Sequence, residues 1–260
     1  MARATDSREG NQLLAALSPA ERQRLQPQLE WVALPAGANL YSAGASLRHV
    51  YFPTTAVISL VSSMRDGATV EVGTVGSEGV AGVCAFMGSR EALCSGVVLT
   101  SGHGWRMGAR AAADFARSSD ALMQPVLHFL QALFTQIAQT SACNRHHGVE
   151  QQLCRWLLLN DDRGESSELK ATQERIARML GVRREGVTVG AGKLQSAGLI
   201  SYGRGRISIL DRKGLELRSC ECYSVMRQAQ DRLRATTVDA HQHHGERRLY
   251  AADASQRQAA

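Results

Sequence analysis

Ten lysines and arginines lie between Lys170 and Lys213, at 170, 175, 178, 183, 184, 193, 204, 206, 212 and 213. Only three acids share that span, at 174, 185 and 211. The local excess is seven, while all 260 residues together carry +6, so the remainder is close to neutral. Positive charge gathered in one segment suits phosphate contacts. The elements holding these side chains are legible from Ala171 to Leu210. Thr172 is placed to cap a helix, its hydroxyl accepting an orphan backbone N–H. Ile176, Met179 and Leu180 give that helix an apolar face at three- and four-residue spacing. Gly181 follows, where a sharp turn needs positive φ. A second helix carries Val187, Ala191 and Leu194 on its inner face. Leu199–Tyr202 and Ile207–Leu210 then flank Gly203-Arg204-Gly205-Arg206, a hairpin with a basic tip. A helix-turn-helix lays its second helix in the DNA major groove, so duplex DNA is the expected partner.

Other chemistry is sparse. The six cysteines, Cys84, Cys94, Cys143, Cys154, Cys220 and Cys222, form no C-x-x-C pair. Their spacing suits neither a zinc knuckle nor a disulfide framework, and they read as free, mostly buried thiols. His241, His243 and His244 lie in a polar tail from Arg234 to Ala260 that is expected to be disordered. No nucleophile–base–orienter set, phosphate-cradling glycine loop or metal spacing is readable. No enzyme, cofactor or bound metal is therefore expected. No apolar run approaches the ~20 residues that span a bilayer. Met1 to Gln12 has charges of both signs and no signal-peptide core, so the expected location is the cytoplasm, with no membrane partner.

Leu13 to Leu29 reads as a short helix that Ser18-Pro19 restarts. From Pro35 to Gly108 lie twelve of the 24 glycines. Between them run short β-rich segments, Val50–Phe52, Ala56–Val61, Thr69–Val75 and Gly96–Thr100. They suggest a compact antiparallel barrel or roll. The polar stretch Asp114 to Asp120 ends that unit. A long helix follows, secure from about Pro125. On it Val126, Leu130, Leu133, Ile137, Thr140 and Asn144 alternate in steps of four and three. That heptad seam is the pattern of a helix paired along its length, and Phe129 and Phe134 lie off it, facing the β unit. Val149 to Leu159 is a further helix, and Leu215 to Leu233 another.

The order β-roll, seam helix, winged helix-turn-helix resembles the Crp/Fnr family of bacterial transcription regulators, over roughly Leu17 to Leu215. Leu34–Leu40 with Gly44, Val50–Phe52, Val57–Leu60 and Gly67–Gly82 carry the resemblance in the roll. Leu180–Glu185 with Leu194, Gly198, Leu199 and Ile200 carry it in the head. The resemblance implies an α+β fold: a jelly-roll-like sensor over residues 1–119 and a dimerisation helix over 120–147. A winged helix-turn-helix over 148–216 and a C-terminal helix with its tail over 217–260 complete it. It implies a homodimer on DNA, with RNA polymerase as a further partner whose contact loops are not identifiable. Arg184 and Glu185 then occupy base-reading positions, where a guanidinium bonds guanine and a carboxylate accepts from cytosine; Glu185 alternatively orients Arg184. Arg183, Lys193, Thr172 and Gln173 match phosphate contacts, Thr188 joins the DNA-binding set, and Arg204 and Arg206 meet the backbone from the wing.

Two features depart from that pattern. Gly186, Gly190 and Gly192 fall in the second helix, each costing up to about 1 kcal/mol relative to alanine. That helix must lean on Val187 and Leu194, and is expected to firm up on DNA. Val189 stands where relatives often carry a polar contact. The ligand cassette is also altered: Val83 replaces the expected glutamate, and Cys94-Ser95 the arginine-serine pair. A buried phosphate there would lack its compensating charge, so tight cyclic-nucleotide binding is not expected. Glu78 and Arg90 are the candidates for a displaced role. No cysteine precedes Cys84, unlike the iron–sulfur branch, and no pattern supports His49 or His103 as a haem ligand. The competing reading is a small-molecule binding module with a weak DNA head.

Overall fold

A computed structural model describes residues 10–164 and 168–235. The segment before Gly10 and the tail with its histidines lie outside the described residues. The chain opens with two short helices, α1 (Gln12–Ala15) and α2 (Pro19–Leu25). Asn11 caps the first, and Ser18 with Glu21 forms a reciprocal capping box on the second. Each cap satisfies donors that a helix start leaves orphaned.

Seven strands make the roll: β1 (Glu30–Leu34), β2 (Asn39–Tyr41), β3 (His49–Pro53), β4 (Val57–Ser63), β5 (Thr69–Val75), β6 (Ser95–Thr100) and β7 (Gly102–Gly108). They form two antiparallel sheets, ordered β1-β7-β3 and β2-β6-β4-β5. The four expected runs coincide with strands, save that Ala56 precedes β4. Strand β7 is hidden in the sequence because its glycines resemble a turn. Gly104 is a close-approach position instead: a Cβ there would lie 2.7 Å from the Phe52 carbonyl oxygen. Strand β4 is buried on both faces. Ile58 and Leu60 pack inside the roll, whereas Val57 and Val61 belong to the core of the C-terminal domain.

Between the roll and the long helix, the polar stretch 114–120 covers the end of α3 (Ala109–Arg117) and the start of α4 (Asp120–His146). Ala109, Ala112 and Ala116 bury one face of α3, and Asp114 sits on the solvent face beside Arg110 and Arg117. Helix α4 starts five residues before Pro125, which its sixth position tolerates. The missing N–H forfeits one bond, but Leu122, Pro125, Val126 and Phe129 bury that end in the roll's core.

The C-terminal domain comprises α5 (Val149–Asp161), β8 (Glu168–Lys170), α6 (Gln173–Leu180), α7 (Arg184–Ser196), β9 (Ile200–Gly203), β10 (Arg206–Ile209) and α8 (Arg212–Arg218). Strands β8-β10-β9 form its antiparallel sheet. A last helix, α9 (221–235), is separate from α8, so the single helix expected from Leu215 to Leu233 is broken at 219–220. Helix α5 is central, buried continuously from Gln152 to Asn160. Among the described residues no helix is long and apolar enough to cross a membrane.

The roll and this domain share one apolar core, in which Val57, Val61 and Leu99 meet Trp156, Ile176 and Met179. Two acids are buried at that junction. Glu78 pairs with Arg163 at 2.8 Å, both side chains almost inaccessible. Burial alone would raise the Glu78 carboxyl, but the Arg163 guanidinium together with backbone N–H bonds holds it below its ordinary range. Glu71 instead accepts from Ser59 Oγ at 2.5 Å and Trp156 Nε1 at 3.0 Å. Burial dominates there and pushes its carboxyl up to about 7.

Candidate nucleic-acid interface

Helix α6 is fixed at both ends as its residue types require. Thr172 accepts from the Arg175 N–H, and Gly181 ends the helix at φ +65°. The Val182 N–H returns to the Ala177 carbonyl, a Schellman closure that turns the chain into α7. Ile176, Met179 and Leu180 are buried beneath it. Arg175 is not a surface cation: it donates to the Val98 and Leu99 carbonyls of β6, tying α6 to the roll.

Helix α7 is continuous from Arg184 to Ser196 despite its three glycines. Val187, Ala191 and Leu194 are at most 2% exposed. Burial of these side chains compensates the propensity cost that the glycines impose. Its outer face shows Arg184, Glu185, Thr188 and Val189, all exposed. The Thr188 hydroxyl lies 2.8 Å from Gln173 Oε1 and 3.1 Å from the Arg184 carbonyl oxygen. It thereby locks the start of α6 to the second turn of α7. Arg184 and Arg204 line one open groove with Thr172, Gln173, Glu174 and Tyr202.

The wing turns at Arg204 and Gly205, with φ of 50° and 74°. Two successive positive φ values match a type I′ hairpin turn. Arginine in the left-handed region costs about 1–2 kcal/mol, so the turn holds its guanidinium at the tip against local preference. Tyr202 braces the wing: its hydroxyl donates to the Ala171 carbonyl, and its N–H donates to Gln195 Oε1. Burial raises the Tyr202 phenol, which stays protonated and able to donate.

The basic residues separate into two groups. Arg206 pairs with Glu168 at 3.0 Å, and Lys193 lies 3.8 Å from Glu150. Arg212 is enclosed by Asp161, Asp162 and Glu216 and donates to the Tyr223 hydroxyl. Among the described residues, no carboxylate pairs with Arg183, Arg184 or Arg204. Glu185 likewise makes no bond to Arg184, so the orienting alternative has no support in the geometry. Val189 is 59% exposed and adds an apolar surface to the same face.

The sensor candidates are not gathered into a site. Glu78 is committed to Arg163, which removes it from any ligand role. Val83 is buried on a short 3-10 helix, Val83–Met87, flanked by Gly82 and Gly88 at positive φ. Arg90 is exposed. The Ser95 hydroxyl accepts from the Ala43 N–H. Cys94 is partly buried beside Tyr41, whose ring lies so close over Gly96 that a Cβ there would be 2.5 Å from Tyr41 Cζ.

The dimer seam also needs correcting. Val126, Leu133 and Thr140 are buried in the chain's own interior, Thr140 accepting from Arg155 Nη1 at 3.0 Å. Leu130 is partly exposed and Ile137 and Asn144 are exposed. The face left open runs Leu127, Leu130, Phe134, Ile137, Ser141 and Asn144, again in steps of three and four. Phe129 does face the roll, whereas Phe134, expected to do the same, is 74% exposed. The expected heptad shares Leu130, Ile137 and Asn144 with the open face, while its other three positions turn inward because α4 is apolar on both sides.

One grouping escapes the sequence reading. Cys143, His147, Cys220 and Cys222 converge where α4 ends and α9 begins, with one ligand atom from each lying within 4.8 Å of the others. The available signal is Cys143-x-x-x-His147 on one helical face together with the C-x-C at Cys220.

Residues 151–218 match the profile of the Crp-like helix-turn-helix domain. No curated protein sequence matches the chain. Solved structures do. A protein from Eubacterium rectale assigned to the crp/fnr family of transcriptional regulators aligns at 18% identity and TM-score 0.64, covering 79% of this chain and 96% of that one. FixK2 from Bradyrhizobium japonicum aligns at 12% and 0.63, covering 74% and 98%. A CRP-family transcriptional regulator from Thermus thermophilus aligns at 19% and 0.61, covering 73% and 96%. At these identities the likeness is one of fold.

Proposed function

We propose that this chain, built on the architecture of the Crp/Fnr DNA-binding regulators, works as a homodimer that reads duplex DNA with α7. The observation that carries the reading is the outer face of that helix. Arg184, Glu185 and Val189 stand exposed and unspent there, with Thr188 exposed among them and bonded to Gln173, beside a wing whose Arg204 is held at its tip. Arg184 takes guanine O6 and N7, Glu185 takes a cytosine amino group, and Val189 packs against a thymine methyl. Arg183, Thr172, Gln173 and Arg204 contact phosphate. Lys193 and Arg206 join them by exchanging Glu150 and Glu168 for phosphate oxygens.

Pairing follows from the open face of α4. Leu127, Phe134 and Ile137 are 47, 74 and 37% exposed. Large side chains in a heptad at that exposure are knobs without holes, and a second copy of α4 supplies the holes. Two heads then meet major grooves roughly 34 Å apart, one helical turn. DNA binding places the protein in the cytoplasm. The roll acts as a sensor that does not bind cyclic nucleotides tightly, because the cassette offers Val83 and Cys94 where charge is needed.

Selection of binding sites from random duplexes, followed by gel-shift titration, tests the reading. Arg184→Ala should lower specific affinity by about 10- to 100-fold, the value of one bidentate base contact, and relax preference at one base pair per half-site. Unchanged affinity and preference in that variant would overturn the base-reading assignment. Sedimentation equilibrium of Phe134→Asp should give a monomer from a dimeric parent; a monomeric parent would overturn the pairing.

A further inference from the structure

The cysteine–histidine group at the end of the long helix has no part in DNA reading or in pairing. Cys143 lies on the last turn of α4 and His147 is the residue that caps it, its N–H closing onto the Cys143 carbonyl. Cys220 lies in the break before α9 and Cys222 in that helix's first turn, more than seventy residues later. Cys143 Sγ lies 3.5 Å from Cys220 Sγ, and Cys222 Sγ lies 3.4 Å from His147 Nδ1. The three thiols are buried and packed on one another, apart from the apolar cores. Nothing in apolar packing calls for three sulfurs and an imidazole in one place.

We propose that these four side chains form a structural zinc site that clasps the end of α4 to the start of α9. Zinc bound by three thiolates and one imidazole takes a closed tetrahedron, with Zn–S near 2.3 Å and Zn–N near 2.0–2.1 Å. Such a tetrahedron has edges of about 3.5–3.8 Å, and the two closest pairs, at 3.5 and 3.4 Å, lie within a few tenths of an ångström of them. The whole set lies within 4.8 Å, too tight for the cage of a multi-iron cluster and right for one ion.

The surroundings are those of a ligand set. Glu221 Oε2 lies 3.3 Å from His147 Nε2, on the ring edge away from the sulfurs. A carboxylate on that edge fixes the tautomer that leaves Nδ1 free to coordinate. Gln139 Nε2 donates to Cys222 Sγ at 3.2 Å, a bond that favours thiolate. Arg155 is 4% exposed, acts electrostatically on Cys143, and its Nε is buried without a hydrogen-bond partner. Three thiolates and one zinc ion sum to −1, and that guanidinium makes the assembly neutral. A buried arginine with an unspent donor thus gains an anionic neighbour in addition to Glu71, on which it also acts.

The position gives the site its effect. His147 and Gly148 join α4 to α5, the only covalent path from the pairing helix to the head. Helix α9 runs back along α4 and places Leu233 in the roll's core. Zinc would therefore fix the angle at which each head leaves the paired helices.

Elemental analysis of the full chain, purified under reducing conditions without chelator, tests the proposal. About one zinc per chain is expected, falling more than tenfold in Cys143→Ser and Cys222→Ser and unchanged in Cys84→Ser and Cys154→Ser. Should the serine variants fail to fold, cobalt(II) added to the metal-stripped parent reads the site directly. Sulfur-to-cobalt charge transfer and intense tetrahedral bands are expected, shifted but retained in Cys220→His. Zinc-free protein with all these thiols reactive, a Cys143–Cys220 disulfide without metal, or iron as the only bound metal would each overturn it.

Discussion

At the junction of the roll with the head, buried charges are answered inside the protein. Glu78 has Arg163, Glu71 has Ser59 and Trp156, and Arg175 has two carbonyl oxygens of β6. On the outer face of α7 and at the wing tip, Arg183, Arg184 and Arg204 are exposed and have no carboxylate partner among the described residues. The first arrangement holds two domains in one geometry. The second leaves affinity in reserve for a partner outside the chain. Identical residue types thus serve opposite ends, and burial with a partner, rather than charge alone, separates them.

The largest way to break this contrast is to remove a partner at the junction. Arg163→Met should cost about 3–5 kcal/mol in denaturant unfolding, because Glu78 is left buried and uncompensated. An exposed arginine such as Arg183 should cost less than about 0.5 kcal/mol when truncated. Equal effects would erase the distinction.

The two buried acids sharpen the same point through pH. Glu71 has a folded value near 7, above its ordinary 4.5, so the unfolded chain releases its proton first. Its contribution to stability is therefore undiminished below 4.5, declines as pH rises from there to 7, and is lowest above 7. Glu71→Gln should stabilise the protein by up to about 3 kcal/mol at pH 8 and by little at pH 4.5. Glu78 is held below its ordinary value. Its ion pair contributes above 4.5 and is lost as pH falls further, a slope of opposite sign. Thermal melts of parent and variant across roughly pH 2–8 separate the two groups.

Within the DNA face the contrast predicts a ranking. Arg184→Ala should cost about 1–3 kcal/mol of specific binding. Lys193→Ala and Arg206→Ala should cost less than about 1 kcal/mol each, since each must first leave a protein carboxylate, and should flatten the salt dependence by about one ion apiece. Gel shifts at two salt concentrations distinguish base reading from phosphate contact.

What is legible in the sequence follows from the range of the forces involved. The cap at Thr172, the stop at Gly181 and the buried trio on α7 are local, set within one or two turns, and stand where the spacing puts them. The roll's β7 escapes because Gly104 answers a backbone on another strand. The α4 seam is misplaced at Val126, Leu133 and Thr140 because the helix is apolar on two faces, and only the fold decides which one the roll covers. Glu78 reads as available because Arg163 lies far along the chain. The four metal-ligand candidates are invisible for the same reason: two come from each of two segments that meet only after folding.

The smallest expected effect tests whether α7 is held by packing or by its own sequence. Gly190 lies on the inner face between Val187 and Leu194, and a Cβ there would meet the Glu150 backbone at 3.7 Å and Leu153 at 3.8 Å, ordinary contact. Gly190→Ala should therefore add about 0.5–1 kcal/mol to stability by removing backbone entropy from the unfolded chain. The outward residues Arg184, Glu185 and Thr188 do not move, so the sequence preference on DNA should stay the same. A gain in stability with unchanged preference makes the glycines a dispensable weakness in a helix already formed by its buried face. A loss of DNA binding in a more stable protein would show instead that α7 must flex to enter the groove, and the reserve held on its outer face would then include conformational freedom as well as charge.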